Sequence, residues 1–275
     1  MAADAHAHPR DLLALFPGAE EERRRLAVPC AASAWTEEEF TLHRELAAAA
    51  ERDAAAPYRL CFAVHPQAPG RAVETGFPGA GEAGFHRSLE LLAQFAAAGS
   101  LAGVGETGFD LYDDAFRETE KIQEKLFAAH LEIARTYKLP VVLHVRRAMH
   151  KIFLYAGALK QLPAVVFHSW PGSPGEGFSL LRRGIPAFFS FGAALMLNHK
   201  RAIRSCAAFP LERILLETDA PWQPLRGRAF SSWADLSAIL RAAAAIRKEA
   251  GVPGGGEAEL EKGTDKNFFS VFGAP

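Results

Sequence analysis

GVGETGFD, residues 103–110, sets a single acid, Glu106, between glycines directly after the apolar residues Leu101, Ala102 and Val104. An unbroken apolar run reads as a strand buried on both faces. Gly103, Gly105 and Gly108 permit close backbone approach or positive φ where such a strand gives way to a loop. Glu106 is therefore expected at a strand-to-loop turn, where a carboxylate removed from water needs a cationic partner. Taken alone, the stretch reads more simply as a turn whose acid faces solvent, and the rest of the chain decides otherwise.

The same pattern, a short apolar run ending in an ionisable residue, recurs along the chain. DAHAH (4–8) puts Asp4, His6 and His8 on one face of an extended segment. RLAVPCAAS (25–33), YRLCFAVHP (58–66), LPVVLHVRR (139–147), PAVVFHSWPGS (163–173), IPAFFSFG (185–192) and RILLETDAPW (213–222) read as further strands. Helical segments separate them: TEEEFTLHRELAAAAERD (36–53), opened by Thr36 and three acids, then 85–98, 118–137, a segment reaching to 159, 178–183, 200–207, 233–249 and a last one from 259. The stretch 67–84 is rich in Gly and Pro, so it is expected to be an irregular rim loop or lid.

Eight apolar strands alternating with helices, and no break in composition, predict one domain over residues 1–275 with a parallel sheet buried on both faces. A closed (β/α)8 TIM barrel fits that count best, with a doubly wound open sheet as the alternative, and 275 residues is an ordinary length for such a barrel. The formal net charge of −1 argues against a general polyanion-binding surface but leaves room for a local basic cleft. Cys30, Cys61 and Cys206 are too few and too scattered for a disulfide framework or a thiolate zinc site. No apolar run reaches the roughly 20 residues of a membrane span, and MAADAHAH lacks the pattern of a secretion signal, so a cytoplasmic location is expected.

In a barrel the C-terminal strand ends meet at one face. That brings His6, His8, His65, Glu106, His144, His168 and Asp219 together, while His43, His86, His130, His150 and His199 fall on helices and read as surface or packing residues. Any one of the strand-end histidines alone is better read as a structural residue; five of them with two acids are not. Imidazole and carboxylate donors without cysteine suit Zn²⁺, Mn²⁺ or a similar divalent ion, and their number exceeds the needs of one tetrahedral site with an open position. Two ions sharing a carboxylate, and hydrolysis by an activated water, follow. The chain carries no GxGxxG after its first strand, no GxxxxGK[ST] and no GxSxG.

Taken together, DAHAH (4–8), AVHP (63–66), GETGFD (105–110), PVVLHVR (140–146), VFHSWPGS (166–173), ETDAPW (217–222) and the closing TDKNFFSVF (264–272) resemble the TatD family of metal-dependent hydrolases. The resemblance implies an amidohydrolase-type barrel, two divalent ions (Mg, Mn or Zn) and deoxyribonuclease activity, with DNA as substrate and no obligate protein partner. Carried over, it implies that His6 and His8 hold one ion with Asp219, that His144 and His168 hold the other, and that Glu106 bridges them. Asp219 would also orient or deprotonate the attacking water, and His65 and Arg146 would contact a phosphate. Arg147, where the family commonly has an acid, and HSWPGS, where HCFSGS is usual, depart from the pattern at the mouth of the site. Trp170 there either packs the rim or stacks on a base. The competing readings are a same-fold hydrolase of a small amide, lactone or phosphoester, a histidinol-phosphatase-like phosphoesterase, and a binding barrel without catalysis.

Overall fold

The computed structural model describes residues 2–75 and 82–273. Its eight strands are β1 (Asp4–Ala7), β2 (Cys30–Ala34), β3 (Tyr58–Phe62), β4 (Gly103–Asp110), β5 (Val141–Arg146), β6 (Val165–Phe167), β7 (Ala187–Phe191) and β8 (Ile214–Leu216). They lie in chain order, each parallel to the next, with helices between them. This is the expected (β/α)8 barrel. The ladder runs from β1 to β8, and single bonds rather than a further ladder draw its two edges together. Asp219 N–H donates to the His6 carbonyl at 3.0 Å and His8 N–H to that of Ala220 at 2.8 Å. The buried Asp4 carboxylate accepts from Thr218 N–H at 3.0 Å and from the Thr218 hydroxyl at 2.6 Å.

The period-two alternation of a strand sorts β5 into layers. Val141, Leu143 and Val145 pack into the core between barrel and helices, whereas Val142 belongs to the cluster inside the barrel. His144 and Arg146 continue the inward face above Val142. The interior floor combines Val142, Val166, Phe188 and Leu215 with Phe268 and Phe272 of the last helix, Glu257–Phe272. That helix is tied down by Asn267, whose Nδ2 donates to the carbonyls of Leu211 and Ile214, both at 2.8 Å. Helix starts carry their own signals. Thr36 and Glu39 form a capping box, as do Ser173 and Glu176.

Three expectations change. The second strand begins at Cys30 rather than Arg25, because Ala19–Leu26 is a helix whose acids lie in its first turn and arginines in its last. Ala68–Thr75 is helical rather than irregular; Pro69 sits in its first turn, where no backbone donor is needed. Residues 82–84 of the expected rim loop begin the next helix, Glu82–Ala97, and 76–81 lie outside the described residues. The largest change concerns β4, which runs on through Asp110 and carries Glu106 at its middle, not at a turn. The glycines serve strand contact. A Cβ on Gly105 would stand 2.6 Å from Val142 Cβ, and one on Gly108 (φ +135°) would stand 2.2 Å from the His144 carbonyl oxygen.

No helix among the described residues is long and apolar enough to cross a membrane.

Gly108→Ala is expected to force β4 away from β5 and to cost on the order of 2–4 kcal/mol. A urea denaturation midpoint unchanged from the parent would contradict this account of the β4–β5 contact.

Candidate metal centre

Burial is the first fact about Glu106: its side chain is 4% exposed. Its two carboxylate oxygens face different neighbours. Oε2 lies 3.1 Å from His6 Nε2 and 3.6 Å from His8 Nε2. Those two nitrogens are 3.2 Å apart, and each lies within 3.6 Å of Asp219 Oδ1. Oε1 lies 2.6 Å from His144 Nδ1, 3.3 Å from His65 Nε2 and 3.4 Å from His168 Nε2. Donor atoms that share an ion at about 2.0–2.2 Å stand about 3.0–3.6 Å from one another in tetrahedral or octahedral arrangements. His6 Nε2, His8 Nε2 and Asp219 Oδ1 have that spacing among themselves, and Oε2 has it to both rings, so these nitrogen and oxygen donors fit a divalent cation.

The electrostatics agree with the spacing. Burial pushes Glu106 toward its neutral form, but His65, His168, His6 and His144 outweigh it and hold the carboxyl well below the usual range. Asp219 is lowered in the same way, burial being overcome by His168, His8 and His6. Burial opposes a proton on His168, yet Glu217, Glu106 and Asp219 raise that ring to about 10. A site that keeps a proton on a fully enclosed imidazole is one that attracts positive charge. His65 differs: burial drives it down to about 4.

Three of the rings are held from behind. Ser33 Oγ stands 3.2 Å from His6 Nδ1, Asp110 Oδ2 stands 2.9 Å from His144 Nε2, and Glu217 Oε1 stands 3.1 Å from His168 Nδ1. Glu217 Oε1 also accepts from Ser169 N–H at 2.7 Å, and Asp110 Oδ2 from Gln67 Nε2 at 2.8 Å. These contacts leave His6 Nε2, His144 Nδ1 and His168 Nε2 aimed at the centre. A carboxylate behind a ligating imidazole fixes its tautomer and raises its basicity. His130 ties two strands together. Val64 N–H donates to its Nε2 at 3.2 Å, which puts the ring proton on Nδ1, 2.6 Å from Thr107 Oγ1. Burial pushes this ring down to about 3, so it stays neutral.

All eight residues singled out in the sequence therefore lie at one end of the barrel. His6, His8, His65, Glu106, His144, His168 and Asp219 converge. Arg146 stands at the rim, with its guanidinium 3.5 Å from Asp110 Oδ2, 4.1 Å over the Tyr112 ring, and 43% exposed. Asp110, Glu217, Ser33 and His130 were not picked out as partners, because each meets its target from a distant part of the chain. GETGFD and ETDAPW did contain Asp110 and Glu217. His199, expected as a surface or packing residue, lines the cleft above the centre. Trp170 is buried among Phe167, Phe189 and Phe209, and its Nε1 donates to Ser205 Oγ at 3.0 Å, so it packs the rim. Arg147 folds back, its guanidinium donating to the Tyr112 carbonyl at 3.0 Å and lying 4.5 Å over the same ring.

Comparison with known proteins bears on this arrangement. The chain is 35% identical over 142 residues to deoxyribonuclease Tat-D of Schizosaccharomyces pombe, covering 50% of this chain and 44% of that protein. It is 34% identical over 137 residues to the 3'-5' ssDNA/RNA exonuclease TatD of Pectobacterium atrosepticum, covering 48% of this chain and 51% of that one. The chain thus spans about half the length of the curated relatives it matches. The crystal structure of YjjV, a TatD homologue from Escherichia coli K12, superimposes with a TM-score of 0.80 over 100% of this chain and 98% of that one, at 23% identity, a likeness of fold. The family model for TatD-related DNases matches residues 3–273, and the chain belongs to that family.

Proposed function

We propose that this protein is a divalent-metal-dependent hydrolase that cleaves phosphodiester bonds in DNA. The observation that carries the reading is Glu106, whose Oε2 faces His6 and His8 and whose Oε1 faces His65, His144 and His168 at the floor of an open cleft. His6, His8 and Asp219 would hold one ion, His144 and His168 the other, and Glu106 both. Mg, Mn and Zn all accept such donors. A bound divalent pair supplies Lewis acidity and brings the pKa of water from 15.7 toward about 7.

The chain's own residues then have distinct tasks. Asp219 is kept ionised, and its Oδ2 accepts from Gln223 Nε2 at 2.8 Å, which fixes the carboxylate so that Oδ1 can orient an attacking water and take its proton. His65 Nδ1 accepts from Gln67 N–H at 3.2 Å, so the neutral ring carries its proton on Nε2. That leaves His65 a donor to a phosphate oxygen rather than a ligand, although its nitrogen stands among the donors around Glu106. Arg146, stacked on Tyr112 at the cleft wall, presents its guanidinium to a second phosphate oxygen. Asp110 and Glu217 keep His144 and His168 turned toward the centre.

With Mg²⁺ or Mn²⁺, the protein is expected to shorten end-labelled single-stranded DNA. Cleavage should stop in excess chelator and fall by at least about a thousandfold in Glu106→Ala, a loss of several kcal/mol of transition-state stabilisation. Cleavage that survives Glu106→Ala would refute the reading. Turnover of a small phosphoester or lactone with none of DNA would replace it with the small-substrate alternative.

Metal content separates the roles. Glu106→Gln should weaken both ions together, and His168→Ala mainly one; equal loss in the two variants would remove Glu106 from the shared position. Asp110→Asn, which keeps shape but removes charge behind His144, should lower metal affinity about 10–100-fold. Titration calorimetry with an unchanged affinity would show that Asp110 does not orient the ring.

A further inference from the structure

The cleft above the centre has a volume of about 900 Å³, near the upper end of the ~300–1,000 Å³ typical of ligand sites. Its lining is unlike the protein as a whole. The chain balances 31 Lys and Arg against 32 Asp and Glu, yet Arg71, Arg146, Lys200 and Arg201 line the cleft while Asp11 is, among the described residues, its one carboxylate apart from Glu106 and Asp219. Past β7 and β8 the wall also carries apolar side chains. Leu197, from the segment after β7, and Trp222, from the segment after β8, both line it and are 39% and 55% exposed. An indole so open to water beside a catalytic centre is an unfilled contact surface.

Trp222 is also held in place. It lies three residues beyond Asp219, and its N–H donates to the Asp219 carbonyl at 2.7 Å. Its neighbour Gln223 donates from Nε2 to Asp219 Oδ2 and to Ser169 Oγ, and Pro221 and Pro224 flank the pair. The bond to the Asp219 carbonyl comes from the Trp222 backbone, so the turn that aims the Asp219 carboxylate also sets the point from which the indole projects. Trp170 offers no such surface, since it is 3% exposed and its ring nitrogen is already bonded.

We propose that Trp222 is the stacking platform for a nucleobase of a single-stranded nucleic acid whose phosphate lies over the metal centre. The proposal rests on the phosphodiesterase reading for its orientation and adds the base to it. The sugar-phosphate backbone meets the cationic side chains that ring the cleft, Arg71, Arg146, Lys200 and Arg201, and the base attached to it turns onto the exposed indole. Stacking on an aromatic face tolerates any base, and together with a basic groove it is the general means of holding a single strand. Bases already paired and stacked in a duplex present no free face to the indole, so a duplex gains nothing from it.

The test compares a single-stranded oligonucleotide with a fully abasic strand of equal length and charge. Affinity is read by fluorescence anisotropy in chelator, so that no strand is cut, and kcat/KM is read with Mn²⁺. The parent should prefer the base-bearing strand by about tenfold or more in affinity. Trp222→Ala should lose most of that preference, and Trp222→Phe should keep most of it. A parent without preference, or a Trp222→Ala variant that retains the parental preference, would overturn the assignment. If the preference depends on Trp222 but no strand is ever cleaved with any metal, the platform stands and the phosphodiesterase reading falls. Circular dichroism melting of each variant separates a lost platform from a lost fold.

Discussion

Nearly dry, and with no lysine or arginine against it among the described residues, the Glu106 carboxylate is the constraint that the rest of the site answers. An isolated carboxylate at that depth is among the costliest groups a protein can bury. Imidazoles from β1, β3, β5 and β6 or the residues just beyond them surround it, and they offset the cost only if all of those strand ends reach the same height in the barrel. The close contact of β4 with β5 follows from this demand. Gly105 and Gly108 let the acid-bearing strand lie against Val142 and His144. The acid, its glycines and the β5 register form a single requirement on the chain.

A second requirement concerns closure. The first and last strands meet without a ladder, and the carboxylate of Asp4 spans the gap by taking both the backbone and the side chain of Thr218. Thr218 directly precedes Asp219, and Asp4 lies two residues before His6. The seam that shuts the barrel is thereby the same set of bonds that holds His6 and Asp219 in register. Buried polar groups in such a network are costly if left unmatched and specific once matched. Stability of the closure and placement of these donors cannot be separated.

The barrel was legible because near-continuous apolar runs such as VVL in β5 and ILL in β8 leave little room for any reading but a sheet covered on both faces. The donors were legible because each falls where an apolar run stops. Glu106 was misread locally for a physical reason: glycines signal a turn when the only consideration is backbone freedom, and they signal strand contact once the neighbouring strand is in place. Pro69 misled in the same manner, since proline breaks a helix in its interior but suits its first turn. The partners behind the rings carry no local signal at all. Asp110 meets His144 across 34 residues and Glu217 meets His168 across 49, so only the folded barrel joins them.

Trp170 and Trp222 make the point for the cleft. Both lie in segments that follow strands, and the sequence leaves Trp170 open to either packing or stacking on a base while it singles out no role for Trp222. The phenylalanines around Trp170 and the hydroxyl of Ser205 leave it 3% exposed, whereas Trp222 is 55% exposed. Net charge misleads about the cleft just as composition misleads about the tryptophans. A chain near neutrality overall still sets Arg71, Arg146, Lys200 and Arg201 around its cleft, and within a Debye length of about 8 Å at physiological salt it is the local arrangement that an approaching phosphate meets. An acidic floor beneath basic walls is what a metal-assisted site for a polyanion requires. The carboxylates draw in the cations that the reaction uses, and the walls offset the repulsion those same carboxylates would otherwise exert on the substrate.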